Sequence, residues 1–463
     1  MFQLFVNNGK HENHINFIKF FKSNESVKNI IVSSFVIDWY WFTKQIYKIR
    51  KSNKTVIDDI QIAVHYDIDS GITEQPLNST DTIKIISIDQ YQNINGKEKQ
   101  YRNLLVGYEN TNFQYTLIHP ILSRIGILHS KIIIIQFESF IRIVISSSNL
   151  TKSDWKNLSQ NVFIIDLFET KQDTLNTITN HHIFQNELTL TLDSLGFYSP
   201  NNKFQHINTF LQNYDFTVLH NNNIHIVTSI PGNHKNSQLF GILKLNYLLN
   251  NQNNDIKNNN SLIYQTSAIG NLNLKWYSDF LKYILIDGDN TMVKVLFPTK
   301  ESVYQLANDN PIYGLESITI RYLDKLNLLI QNQSLYDISY RNTNGQPLHS
   351  KIILFQNSSN SWIYHGSHNL TESSWGVVSK NTIQIHNYET GVWFPYTLFS
   401  QYQQDPLFKF NIDQCQLNNN PWKFKNEIPF LKGIYNSLDQ HFNNDQDIYH
   451  FKEFYKENKN QFN

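Results

Sequence analysis

Leu128-His129-Ser130-Lys131 recurs, 348 − 128 = 220 residues later, as Leu348-His349-Ser350-Lys351. Each copy is followed by an asparagine at the same interval: 149 − 129 = 20 for Asn149 and 369 − 349 = 20 for Asn369. Each asparagine opens the pattern Asn-Leu-Thr-x-Ser-x-Trp, ending at Trp155 and Trp375. A lone His-x-Lys carries little information, but two copies with one interval and one downstream pattern mark a duplication. The runs after each lysine, Ile132-Ile133-Ile134-Ile135 and Ile352-Ile353-Leu354-Phe355, are short, apolar and rich in β-branched residues, the signature of buried strands. In a strand His129 and Lys131 share one face and Ser130 takes the other. The partner strands Ile141–Ile145 and Trp362–His365 close a hairpin in each half and bring each asparagine back to its histidine and lysine. Each half then offers an imidazole, an ammonium and an amide, and two halves can surround one tetrahedral anion.

The same alternation extends outward. Residues 15–22 read as an amphipathic helix, Ile30–Phe35 as a strand and Asp38–Ile49 as a helix. Ile60–His65, Ile83–Ile88 and Asn161–Ile165 read as further strands. A polar stretch at Asn201–Asn223 interrupts the pattern. Ile224–Ser229 restarts it, Pro231-Gly232 turns the chain into a polar loop, and Ser261–Gln265, Val293–Pro298 and Ile383–His386 continue as strands. The expected fold is α/β, with two similar domains, each a mixed sheet flanked by helices. The expected boundaries are 1–214 and 215–463, with one active site on a pseudo-twofold axis between them.

Composition limits the alternatives. The 463 residues suffice for two domains with large cores. With 39 basic and 39 acidic residues the net charge is zero, so any nucleic-acid surface must be a local groove. A hydrophobic content of 40%, with 31 Phe and 25 Tyr, belongs to a packed protein rather than a disordered one. The single Cys415 excludes an internal disulfide framework. Met1–Asn7 turns polar too soon for a signal-peptide core, and no apolar run reaches the roughly 20 residues of a membrane span. Asn149 and Asn369 also match the N-glycosylation acceptor pattern, a reading that needs a secretory route the chain does not announce.

Two histidines facing one site permit nucleophilic catalysis with separate acid–base work. One attacks phosphorus; the other protonates the leaving oxygen and then activates water. Lys131 and Lys351 neutralise the non-bridging oxygens, and Asn149 and Asn369 donate further hydrogen bonds to them. There is no Gly-rich phosphate loop, no zinc-type cysteine set and no convincing metal-ligand spacing. No cofactor is expected, and the two lysines supply the cationic field. The bland alternatives are satisfied structural histidines, turn asparagines and core tryptophans; the repeat outweighs the first two for the paired residues, and core packing is preferred for Trp155 and Trp375.

At these residues the chain resembles the phospholipase D superfamily, defined by a duplicated His-x-Lys. That superfamily usually places Asp five residues after the lysine, where this chain has Gln136 and Gln356. The departure is similar to that of the tyrosyl-DNA phosphodiesterase branch. Gln160 matches that branch's Gln after the first Asn, and Tyr388-Glu389-Thr390-Gly391-Val392 looks like its Tyr-Glu-x-Gly-Val segment. Ser229-Ile230-Pro231-Gly232, Leu296-Phe297-Pro298 and Pro421-Trp422-Lys423-Phe424 extend the resemblance from about Phe2 to about Phe424.

The resemblance implies roles. His129 is the expected nucleophile and His349 the expected general acid and base. Gln160 and Glu389 are expected to orient the imidazoles through their second nitrogens. Thr371, Ser229, Asn236 and Ser237 are the expected DNA contacts. Ile125 replaces an aromatic that stacks on a base in some members, a contact of roughly 1–3 kcal/mol. The implied activity is metal-independent hydrolysis of a 3′-phosphotyrosyl bond left on DNA by topoisomerase I, through a phosphohistidine. The implied substrate is a single- or double-stranded DNA 3′ end carrying a tyrosyl peptide. A monomer in the nucleus, away from membranes, is the implied setting. Two rivals stand: another nuclease or phosphodiesterase of the superfamily, and a non-catalytic DNA-binding relative. The Gln136 and Gln356 departures weigh against the first, and retention of both His-Lys pairs against the second.

Overall fold

The structure is a computed structural model. It describes residues 3–7, 17–53, 57–65, 83–88, 92–93, 100–170, 182–200, 202, 205–235, 238–251, 260–270, 272–285, 291–303, 319–320, 327–337, 346–356, 361–395, 398, 416–419 and 421. Two large sheets organise them. The first is 10-stranded, and its main path runs Gln3–Asn7, Gln160–Phe168, Phe140–Ser146, Ile132–Gln136, Asn29–Ser34, Asp59–Val64, Thr111–His119, Gln100–Tyr108 and Ile83–Ile88. The second is 8-stranded and runs His225–Ser229, Glu389–Pro395, Trp362–Gly366, Lys351–Gln356, Asn260–Gln265, Thr291–Leu296, Leu335–Asp337 and Gln416–Leu417.

The first seven strands of each path repeat one topology. Ranked by their order in the chain they lie side by side as 1-7-6-5-2-3-4 in both sheets. The pairings match as well: four antiparallel contacts, then two parallel ones. The duplication seen in the His-Lys-Asn pattern is therefore a duplication of the whole fold unit.

Both sheets bury both faces, which explains the unbroken apolar runs. Ile132 and Ile134 point to a central cluster, where Ile352, Leu354, Ile363 and Phe394 of the other half join them around the helix Ile183–Leu195. Ile133 and Ile135 point the other way, against the outer helix Trp39–Asn53. Ile353 and Phe355 likewise face an outer layer formed by the helices Gly241–Asn250 and Leu274–Ile284. Each fully buried aliphatic side chain contributes about 1.5–3 kcal/mol relative to an exposed one. The alternation along each strand spends that on two cores at once.

Several elements differ from the sequence reading. Residues 17–21 form a 3₁₀ helix rather than an amphipathic α-helix, and the proposed start at Ile15 lies outside the described residues. Gln3–Asn7, read only as a polar-turning terminus, is an edge strand. The described part of the polar stretch before His225 carries two short helices, Ile207–Leu211 and Thr217–Asn221. Thr382–Ile385 does not extend the second large sheet. It pairs with Gly232–Lys235 and Val377–Ser379 in a separate 3-stranded sheet, so the chain after Pro231 starts a strand, not a loop. The hairpin Gln100–Tyr108 and Thr111–His119, unmarked in the sequence reading, widens the first sheet. Cys415 and Trp422-Lys423-Phe424 lie outside the described residues. Among the described residues no helix is long and apolar enough to cross a membrane.

Candidate active site

The hairpin registers place the two half-sites. Ile132 pairs with Ile145 in the first half and Lys351 with Gly366 in the second. Asn149 and Asn369 thus each lie three residues past the position opposite the motif lysine (149 − 146 and 369 − 366). The halves then join through two equivalent parallel bridges, Leu128 with Tyr388 and Ser159 with Leu348. The His129 amide donates to the Tyr388 carbonyl and the His349 amide to the Ser159 carbonyl, both at 2.9 Å. Each motif histidine is therefore anchored by backbone from the opposite half.

Side chains repeat the exchange. His129 Nδ1 lies 2.7 Å from Glu389 Oε2, and His349 Nδ1 lies 3.0 Å from Gln160 Oε1. A carboxylate only accepts, so His129 carries its proton on Nδ1. Gln160 Oε1 also accepts from Ser147 Oγ at 2.6 Å while Gln160 Nε2 points to Asp154. That fixes the amide, and His349 must also donate from Nδ1. Both rings consequently present Nε2 away from their supports. Ser367 holds Glu389 Oε2 at 2.6 Å, the counterpart of Ser147 on Gln160.

All four motif side chains are buried: His129 is 7% exposed, Lys131 2%, His349 4% and Lys351 0%. Burial is the main force on their protonation. It pushes His129 down to about 4 against the pull of Glu389, and Lys131 down to about 7. It drives His349 and Lys351 well below their ordinary values, with the neighbouring lysines adding to the effect. Burial is the largest influence on Glu389 and works to raise it, but the adjacent His129, together with His368 and Lys131, holds the carboxyl at about 2. The resulting site gathers four basic groups and the carboxylates of Glu389 and Asp154 in low dielectric. Among the described residues each ammonium hydrogen-bonds to its own motif, Lys131 Nζ to the His129 carbonyl at 2.7 Å and Lys351 Nζ to the His349 carbonyl.

The two asparagines are not equivalent. Asn369 Oδ1 accepts from Thr266, Ser267 and the Ala268 amide, which leaves its Nδ2 to donate. Asn149 turns Nδ2 to Asp154 Oδ2 at 3.1 Å, and its buried Oδ1 has no partner. Asn149 thus commits one of its two Nδ2 hydrogens to Asp154, whereas Asn369 leaves its amide nitrogen for a ligand, and both retain a donor.

The expected DNA contacts are placed as follows. Thr371 caps the short helix Glu372–Trp375, accepting from the Ser374 amide. Ser229 is fully buried, and its hydroxyl is engaged by the Ser374 carbonyl and by His368 Nε2 at 3.0 Å. A phosphate contact from that hydroxyl requires those bonds to open. Asn236 and Ser237 lie outside the described residues. Ile125 is 66% exposed. An aromatic does border the site: the Phe35 ring lies 5.8 Å from the His129 ring and 6.0 Å from Lys131 Nζ, and the His65 ring lies 4.9 Å from it, tilted by 48°.

Sequence reasoning missed Asp154, which is 6% exposed and reaches both Asn149 and Gln160. It occupies a variable position of the repeat, and only aligning the halves against each other reveals it, because its counterpart is Ser374. Among the described residues no three His, Cys, Asp or Glu side chains converge so as to hold a metal ion.

A family described as tyrosyl-DNA phosphodiesterase matches residues 2–447. Tyrosyl-DNA phosphodiesterase 1 of Arabidopsis thaliana is 27% identical over 293 residues, covering 58% of this chain and 47% of the relative. The chain thus spans about half the length of that relative. The yeast tyrosyl-DNA phosphodiesterase crystal structure superposes with a TM-score of 0.59 at 17% identity, covering 85% of this chain and 90% of the yeast chain. A His-to-Asn variant of the yeast protein gives 0.59 at 17% identity, covering 86% and 90%. At that identity the likeness speaks for the fold, the two-domain phospholipase D-like arrangement.

Proposed function

We infer the function from the premise that this chain belongs to the tyrosyl-DNA phosphodiesterase family. The reaction we propose is hydrolysis of the bond between a DNA 3′-phosphate and a tyrosine, as left by a trapped topoisomerase I, with no metal taking part. The observation that carries it is the crossed support of two imidazoles, His129 on Glu389 and His349 on Gln160, between two buried lysines.

His129 is the nucleophile. Its Nδ1–H is held by a carboxylate, so the Nε2 lone pair is oriented and made more basic. As Nε2 bonds to phosphorus, the phosphorus–oxygen bond to tyrosine breaks and the Nε2 proton of His349 passes to the phenolic oxygen. His349 then takes a proton from water, the hydroxide attacks phosphorus, the phosphohistidine bond breaks and a 3′-phosphate leaves. Lys131, Lys351 and the Asn369 amide stabilise the non-bridging oxygens in the transition states, in a low dielectric where such donors act strongly. We place the division between the halves at 214/215 and the reaction in the nucleus, the latter on resemblance alone.

The test is a single-stranded oligonucleotide ending in 3′-phosphotyrosine, incubated with purified protein and excess EDTA. Conversion to the 3′-phosphate is expected. A folded protein that leaves this substrate intact while cleaving lipid or unmodified nucleic acid overturns the reading.

A further inference from the structure

Aligning the two halves exposes an exchange of charge. In the second half the carboxylate stands on the strand, Glu389, and the helix position before it is Ser374. In the first half the strand carries the neutral Gln160 and the helix carries the carboxylate, Asp154. Both helix residues serve the same cap. Thr151 Oγ1 accepts from the Asp154 amide and Thr371 Oγ1 from the Ser374 amide, both at 3.1 Å. Ser374 shows that the cap itself needs no carboxylate, so capping does not explain Asp154.

Its two oxygens divide the work. Oδ1 accepts from Thr151 Oγ1 at 2.8 Å and completes the cap. Oδ2 turns toward the reaction centre. It accepts from the Asn149 amide at 2.8 Å, from Asn149 Nδ2 at 3.1 Å and from Gln160 Nε2 at 3.4 Å, and lies 3.7 Å from His349 Nδ1. Around His349, the charged or titratable neighbours are Lys351, Lys131 and His129, all disfavouring a second proton, and Asp154.

We propose that Asp154 is the positioning residue that lets His349 hold the proton it delivers to the leaving oxygen. It locks Gln160 in the orientation that accepts from Nδ1 and supplies the negative charge nearest the imidazolium. The inference rests on the reaction proposed above. Its chemical content is a division of labour. His129, on a carboxylate in direct contact, is set to attack; His349, on a neutral amide with the carboxylate one step behind, keeps a proton acidic enough to give away.

The experiment compares leaving groups in single turnover. One oligonucleotide carries 3′-phosphotyrosine, whose phenolate is a poor leaving group that needs the proton; the other carries 3′-(4-nitrophenyl) phosphate, whose phenolate leaves without it. Asp154→Asn is expected to slow tyrosine release about tenfold or more, a fraction of what a full general acid contributes. It is expected to leave 4-nitrophenolate release within about threefold and to shift the basic limb of the tyrosine-release profile to lower pH, while Asp154→Glu recovers part of the loss. Equal slowing of both substrates, or of neither, by a variant with wild-type melting behaviour overturns the proposal. His349→Ala separates the two levels. It should show the same leaving-group split more strongly, and if it shows none, or if wild-type protein releases neither group, the underlying reaction is wrong rather than the role of Asp154.

Discussion

Glu389 of the second half holds His129 of the first at 2.7 Å, and its remaining acceptor capacity is filled by Ser367, Ser374 and Asn387. Every partner is a donor, so the site demands an acceptor-only group. Glu389→Gln places an amide NH₂ against one of those donors and removes the charge behind the nucleophile. The expected outcome is a fall in the first step on the order of 100-fold or more. It should be accompanied by a stability loss of about 1–3 kcal/mol from the unsatisfied buried donor. Rapid-quench tyrosine release and denaturant melts measure the two effects separately; unchanged release removes Glu389 from the mechanism.

The roles of the histidines differ in time. His349→Ala should let the covalent phosphohistidine accumulate, because the second step loses its base, whereas His129→Ala should form no covalent adduct. Denaturing gels of enzyme with end-labelled 3′-phosphotyrosyl DNA resolve this. A covalent species with the His129→Ala protein would reassign the nucleophile.

The buried ammonium of Lys131 is held for chemistry at the expense of folding. Burial lowers it to about 7, and among the described residues its hydrogen bond goes to the His129 carbonyl. Lys131→Met should therefore raise stability by about 1 kcal/mol or more while lowering turnover by about 100-fold. Opposite movement of melting temperature and rate is the expected result; a variant that loses both refutes the account.

Acid should destabilise the protein through two groups. His129 folds with its value near 4, below the ordinary 6.5, so the unfolded chain takes up the proton first and stability falls as pH drops from about 6.5 toward 4. Glu389, held at about 2 against an ordinary 4.5, contributes stability that is present above 4.5 and lost as pH falls toward 2. Lys131 acts in another window with the same sign: the unfolded chain stays protonated to 10.5, so stability rises with pH between about 7 and that value. Melting temperatures from about pH 2 to about pH 10 test this. A phosphate ion seated between the lysines should flatten the upper part of the curve.

Gly391 faces Tyr364 across the strand pair, and a Cβ there would collide with the tyrosine ring and hydroxyl. That hydroxyl bonds His368, which in turn meets Ser229. Gly391→Ala should cost about 1–3 kcal/mol by overpacking, read from denaturant midpoints, and should loosen the strand that carries Glu389.

Much of this was legible in the sequence because a repeat doubles every signal. Ile132–Ile135 and Ile352–Phe355 announced buried strands, and the equal interval to Asn149 and Asn369 announced the hairpins that form. Gln160 and Glu389 needed the family resemblance, since nothing local ties a glutamine on one half to a histidine 189 positions away. Asp154 was hidden because a repeat is read by what its copies share, and this residue matters through a difference. Gly232–Lys235 and Thr382–Ile385 were misplaced because strand patterning fixes an element's existence, not the sheet it joins. Ser229 entered as a DNA contact through the resemblance; that its hydroxyl is buried against Ser374 and His368, far along the chain, no local pattern announces.

The two bridges, Leu128 to Tyr388 and Ser159 to Leu348, are related as mirror tasks in a homodimer would be. Two identical halves joined this way would give both imidazoles the same surroundings, and neither would have cause to attack before the other. Written into a single chain, the halves are free to diverge at a few positions. That freedom turns a symmetric cleft into a reaction with an order of events.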